Sequence, residues 1–317
     1  MSQKFKILTI VLVVFIILLS YFQDHTSKDA ITKARKALSD DDVLAALVYL
    51  NNAVKQDSAS AAFLLRAEIF FNQGKLQEAL ADIDQSIKFS PASERAIFLK
   101  AKVITTLGDT VIAINLLDSL IAISQNNNLK TELHIEKGRL LLYNKQFESA
   151  LITFKTITNY QSNAYALYYI GVVLRYQAEG FTEMSQDSCL SNAMSYLNKS
   201  VEVDHNFADA WFQKAMIHLH FKELEQYHLA IEKAIILDSL NYYYYFVRAN
   251  NFKNQAACDE ALLDYNKAIK YNAGAAFLYK ERASLYFNCI LDSVAGLNDI
   301  QKAKAIDKRA LNQASRK

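Results

Sequence analysis

The sequence predicts an all-α chain of repeated helical hairpins, preceded by one apolar helix, and three observations carry that reading. Breakers are scarce, with 7 Gly and 1 Pro in 317 residues, against roughly 7% and 5% in ordinary proteins. A β-rich fold would need more of both for its tight turns. Apolar residues make up 52% of the chain, enough for a large core and well away from the composition of disordered chains. A spacing of small and apolar residues also recurs down the chain at intervals near 34.

The first element is the run Ile7 to Phe22, ILTIVLVVFIILLSYF, without charge or glycine. As a helix it spans about 24 Å, slightly less than the ~30 Å hydrocarbon core of a bilayer. Snorkelling by Lys4 and Lys6 closes that gap. A cleaved signal peptide has similar length but needs small residues before the cut, and here the run ends LLSYFQDH. Residues 1–25 are therefore read as an uncleaved single-pass transmembrane anchor, ahead of a cleaved signal or a buried core helix. Lys28, Lys33, Arg35 and Lys36 follow the run, as Lys4 and Lys6 precede it. A long trailing domain translocates regardless of such charges, so residues 26–317 are expected on the non-cytoplasmic side.

The repeat is a frame of a small residue, an apolar one four later and a small or apolar one three after that. It runs through Ala79–Ile83–Ser86, Ala113–Leu117–Leu120, Ala150–Phe154–Ile157, Ala193–Leu197–Ser200, Tyr227–Ile231–Ala234, Ala261–Tyr265–Ala268 and Gly296–Ile300–Ala303. The intervals between frames are 34, 37, 43, 34, 34 and 35 residues. Self-similarity at this period marks a solenoid. Ahead of most frames lies a second stripe with a small residue at its centre, as in Phe63–Ala67–Phe70, Leu167–Gly171–Leu174 and Tyr245–Ala249–Phe252. Each unit is thus two short antiparallel helices crossing at small residues. Neither is long enough to be stable without its neighbours.

ALYYIGVVL (Ala166–Leu174) and AWFQKAMIH (Ala210–His218), with GKLQEALADIDQSIKFSP (Gly74–Pro91) and CDEALLDYNKAIKYN (Cys258–Asn272), resemble the tetratricopeptide repeat family, whose pattern is W-x2-L-G-x2-Y, then A-x3-F, then P. The resemblance covers about residues 27 to 310 in about eight units, the first of them degenerate. It implies a right-handed superhelical solenoid whose first helices line a concave groove, and a groove that binds peptide segments of a protein partner.

The stretch NYYYYF (Asn241–Phe246) tests the register, because four consecutive rings cannot share one helical stripe. With Ala249 as the close-contact residue, Tyr245 belongs to the repeat core, Tyr244 faces the preceding unit and Tyr242 begins the helix. Tyr243, with Phe246, falls on the groove face. The same register places Tyr165, Tyr168, Tyr169, Arg175 and Tyr176 on that face, then Phe212 and Met216, Asn250, and finally Phe277, Lys280 and Phe287. Rings of this kind are typical interface anchors; the alternative is that they pack on one another across units. Earlier in the chain the face carries Glu68, Arg95, Lys102, Glu132, Glu136 and Arg139, a mixed-charge pattern that reads as solvated.

Other classes find little support. Net charge is +2, from 35 basic and 33 acidic residues, so no global field draws in nucleic acid. No HExxH, GxSxG, Walker loop or GxGxxG occurs, and no catalytic residue, cofactor or metal is assigned. His218, His220 and His228 lie close in sequence, but the register turns His218 and His220 apart. The insertion QAEGFTEMSQDSC (Gln177–Cys189) is read as a longer loop, which costs little to close. Cys258 falls near the start of one second helix and Cys289 near the end of the next first helix, ends that sit side by side in stacked hairpins. A disulfide and two free thiols both fit that placement. The leading expectation is a membrane-anchored interaction scaffold, not an enzyme; the alternative is an assembly component of a cell-envelope complex that uses its outer face or ends.

Overall fold

The computed structural model describes residues 28–55, 60–157, 159–180 and 183–314. The expected anchor, residues 7–22, lies outside them, and no described helix is long and apolar enough to cross a membrane. Among the described residues there are helices and no strands, and the chain divides into two compact units meeting at Lys145 and Gln146.

The first unit contains α1 (28–39), α2 (Val43–Ala53), α3 (Ser60–Asn72), α4 (Leu76–Phe89), α5 (Glu94–Thr106), α6 (Thr110–Ile123) and α7 (Asn127–Tyr143). The second contains α8 (Phe147–Lys155), α9 (Ala164–Ala178), α10 (Glu183–Val203), α11 (Ala208–His220), α12 (Leu224–Leu237), α13 (Tyr242–Asn254), α14 (Cys258–Tyr271), α15 (Ala276–Leu285) and α16 (Ser293–Ala314). Within each unit the helices pair as hairpins, α3 with α4, α9 with α10 or α13 with α14, and each hairpin packs on the next. The insertion at Gln177–Cys189 is not the loop that the repeat length suggested. Most of it is helical, extending α10 to 21 residues, and its Asp187 lies 3.3 Å from His220 on α11.

The small residues of both stripes are fully buried: Ala67 and Ala79, Ala101 and Ala113, Ala249 and Ala261. The turn that joins such closely packed helices is equally constrained. Asp41, Gly74, Gly108, Lys222 and Ala256 all have φ between 58° and 97°. After each, the next residue's N–H reaches back five residues, as from Lys75 to the Phe70 carbonyl at 2.9 Å and from Ala257 to the Phe252 carbonyl at 3.0 Å. This closure satisfies carbonyls that a helix end leaves open. Glycine adopts the conformation freely, whereas Asp41, Lys222 and Ala256 adopt it against their Cβ.

Three hairpins carry an ion pair that the periodicity did not disclose. Arg66, Arg248 and Arg282 each precede the small residue of a first helix, and each grips an aspartate of the second helix through Nε and Nη2. The partners are Asp82, Asp264 and Asp299, at 2.6–2.9 Å. The aspartate side chains are only 3–8% exposed. Cys258, first residue of α14, forms a disulfide with Cys289 in the π-helical turn Tyr286–Ile290, the Cα atoms 6.0 Å apart. Cys189 is a buried free thiol whose Sγ lies 3.3 Å from the Leu174 carbonyl.

Two predictions follow from this packing. Asp264→Ala strands a largely buried guanidinium and is expected to cost about 3–5 kcal/mol in urea denaturation. Glu68→Ala, at an ion pair whose arginine is 68% exposed, is expected to cost less than about 1 kcal/mol. The second concerns acid. Burial, then Lys137, lowers the pKa of His134, and its buried Nδ1 has no hydrogen-bond partner. Burial, then Arg248, lowers that of His228. With folded values below the ordinary ~6.5, the unfolded chain binds more protons just below that pH. Stability is therefore expected to fall as pH drops from 7.5 to 5.5. His134→Gln should shrink the difference between urea midpoints at those two pH values.

Candidate functional site

The first helices of the second unit, α9, α11, α13 and α15, carry the expected groove residues, some of them exposed and others packed. In α13 the fixed point is Ala249, packed inward with Ala261 and Tyr265. One turn earlier, Tyr245 is buried and its hydroxyl donates to the Ser239 carbonyl at 3.1 Å. Tyr244 is buried too, its hydroxyl 2.5 Å from Asp209 on α11. Burial, then the hydrogen bond to Asp209, raises its pKa far above the ordinary tyrosine value. Tyr242 is half-buried, and Tyr243 is 44% exposed. The four consecutive rings thus divide into two that cement hairpins, one at the helix start and one displayed.

Tyr243 is part of a connected aromatic cluster. Its ring centroid lies 5.8 Å from Phe246 and 5.6 Å from Phe212; Phe246 in turn lies 5.0 Å from Phe277 on α15. A second group sits on α9, where Tyr165 and Tyr168 each approach Phe207 at 4.8 Å, and Tyr168 meets Tyr169 at the same distance. Burial, then the nearby Asp209, raises the pKa of Tyr168 above the ordinary tyrosine value. Tyr165 and Phe277, 54% and 40% exposed, are open alongside Tyr243.

Not every expected residue is available. Phe212 is only 6% exposed, covered by Tyr244 stacked at 4.9 Å; it is core, not groove. Tyr169 stacks at 5.1 Å on the buried Phe154. Asn250 accepts the Tyr265 hydroxyl at 2.5 Å, and Lys280 is paired with Asp307 at 2.9 Å. Phe287 packs its ring edge over Gly296, where an added Cβ would meet Phe287 Cε1 at 2.6 Å. Arg175, Tyr176 and Met216 lie together at the far end of α9 and α11. There the guanidinium sits 4.3 Å over the Tyr176 ring, and Arg175 and Met216 line a cleft of about 270 Å³. Among the described residues no cluster could hold a metal ion. His218 bonds Glu223 at 2.6 Å, while His220 approaches Asp187.

The first unit's face is different in kind. A cleft of about 500 Å³ is lined by Glu68, Arg95, Phe98, Lys102 and Glu132 among others. Arg95 pairs with Glu68 at 2.7 Å, Arg139 with Glu136 at 3.0 Å, and Lys102 lies 4.3 Å over Phe98. Its charges are largely engaged with neighbours.

No protein-family model matches the sequence, and no curated protein is detectably similar to it in sequence. Solved structures do match. A tetratricopeptide repeat protein from Parabacteroides merdae superposes with a TM-score of 0.67 at 18% identity, over 83% of this chain and 100% of that one. The human IFIT1 dimer with m7Gppp-AAAA gives 0.55 at 14% identity, over 85% and 67%. The helical hairpins therefore have the tetratricopeptide repeat fold; similarity at these identities shows the fold alone.

Exposure separates display from packing in a testable way. Tyr165→Ala, Tyr243→Ala and Phe277→Ala should each leave the urea midpoint nearly unchanged. Phe212→Ala should cost about 3–5 kcal/mol. A large stability loss from Tyr243→Ala would place that ring in the core.

Proposed function

We propose that the chain is a protein-interaction scaffold whose second unit takes a segment of a protein partner on its aromatic face. The observation that carries this is the set of open rings at Tyr165, Tyr243 and Phe277, mounted on rings that are themselves packed. Aromatic side chains bury a large area at low entropic cost, and a rigid support lowers that cost further. A net charge of +2 gives the chain no global field to draw in nucleic acid.

In this reading residues 7–22 hold the scaffold to a membrane, with residues 26–317 on the non-cytoplasmic side. The Cys258–Cys289 disulfide favours that side, since cytosolic thiols are kept reduced. The second reading, a cell-envelope assembly component, draws on α12, whose Leu229 and Ile236 are 58% and 67% exposed on the outer surface of its hairpin.

Site-specific photocrosslinking in native membranes separates the two. A crosslinker at Tyr243 should capture a partner and one at Ile236 should not; the opposite pattern would select the assembly reading. Intact-mass analysis of the extracted protein should show an uncleaved N-terminus. Non-reducing peptide mapping should recover Cys258 joined to Cys289. A mature start beyond Phe22, or two free thiols, would overturn the anchor or the compartment respectively.

A further inference from the structure

Four arginines in this protein have side chains that are only 14–19% exposed: Arg66, Arg175, Arg248 and Arg282. Three of them have a carboxylate of their own hairpin, gripped through Nε and Nη2. Arg175 does not. Its Nε donates at 2.8 Å to Gln213 Oε1, a neutral acceptor that orients the guanidinium without balancing its charge. The closest carboxylate is Glu179, whose Oε1 stands 3.8 Å from Nη1 on a 63% exposed side chain. That is beyond hydrogen-bond reach. The plane is fixed from below by the Tyr176 ring at 4.3 Å. The residue lines the cleft of about 270 Å³ whose other walls include Met216, Leu219 and His220. His220 already approaches Asp187 at 3.3 Å.

We propose that this cleft is a carboxylate subsite, in which the two Nη groups of Arg175 receive the side-chain carboxylate of an acidic residue in the partner segment. The inference rests on reading the aromatic face as a protein-binding surface, and it adds the charge the segment must carry. A guanidinium held by its Nε and stacked on a ring is pre-organised for paired hydrogen bonds to a carboxylate. With Glu179 3.8 Å away on an exposed side chain, neither Nη group of this half-desolvated cation has a hydrogen-bonded carboxylate, whereas each comparable arginine among the described residues has one. Met216 and Leu219 give the methylenes of a glutamate an apolar wall. The cleft also lies along the same helix face as the rings, because Arg175 follows Tyr168 by seven residues, about two turns, on α9. One extended segment can therefore lay apolar side chains on the rings and its acid in the cleft.

A random dodecapeptide display library panned against the full-length protein in detergent tests this. The wild type should enrich peptides with an apolar or aromatic run and an acidic residue at a fixed offset. For a selected peptide, replacing that acid by its amide should weaken binding by roughly tenfold or more. Gln213→Glu gives Arg175 an in-chain carboxylate like those of Arg248 and Arg282. It should erase the acidic preference while keeping the apolar one, with melting unchanged or raised. Arg175→Gln should act alike, with Gln213→Glu deciding if that variant folds poorly. Apolar enrichment without an acidic preference overturns the subsite and leaves the face reading standing; no apolar enrichment overturns both. An acidic preference that survives Gln213→Glu overturns the assignment to Arg175. Acid-dependent binding that tolerates alanine at every apolar position means a free small carboxylate is the ligand, and overturns the partner segment.

Discussion

Everything in this structure depends on two helices coming close enough to touch at residues with almost no side chain. At Gly171 there is no room for more, since a Cβ would stand 2.7 Å from Leu197 Cγ and 3.2 Å from the Ala193 carbonyl oxygen. The paired alanines of the other hairpins do the same work with a methyl group. Close approach makes the joining turn short, and a short turn requires a left-handed residue, accepted even at Ala256 and Lys222. It also sets the rotation of each first helix. With Ala249 pinned inward, Tyr243, six residues earlier, is turned about 120° away from it and displayed, while Phe246, three residues earlier, stays at the edge of the packed side. The displayed face is thus a consequence of the crossing.

Buried ion pairs add register to that contact. A methyl–methyl crossing tolerates sliding along the helix by a turn; a bidentate arginine–aspartate pair does not. Asp264 follows Arg248 by 16 residues and Asp299 follows Arg282 by 17, so each pair locks one helix to the other at a single offset. Burying charge gives little net stability and is tolerated where it specifies an arrangement. The last hairpin is held further by the disulfide at the start of α14. That bond also lies in the cluster containing Phe246, so covalent and aromatic supports of the face meet at the same place.

The hairpins and the fates of the four tyrosines were legible in the sequence, because helical period and small-residue spacing report which side of a helix is crowded. Other features were not. The arginines escaped notice because a charged residue beside an alanine reads as a solvated position, and only the matching aspartate sixteen residues on reveals otherwise. Phe212 was misplaced because register alone cannot say whether the next hairpin covers a position flanking the close contact, as Tyr244 does here. The insertion read as loop because it exceeded the period, yet residues such as Met184, Gln186 and Cys189 are compatible with helix, and α10 simply begins earlier. The anchor, legible as an apolar run, lies in residues the structure does not describe.

The faces of the two units differ in how far their side chains are committed to neighbours. On the first unit's face the charges are committed: Arg95 to Glu68, Arg139 to Glu136, Lys102 to the Phe98 ring. A partner that uses those groups must first break contacts comparable to the ones it makes, so the net gain is small. On the second unit Tyr165, Tyr243 and Phe277 present apolar area already supported from behind. Covering them removes water without breaking anything, at about 25 cal/mol per Å². Arg175 differs from both, because its guanidinium is oriented by Gln213 yet only loosely paired, with Glu179 at 3.8 Å. Within the second unit the exposed rings and this guanidinium lie on α9, α13 and α15, whose rotation the second helices fix.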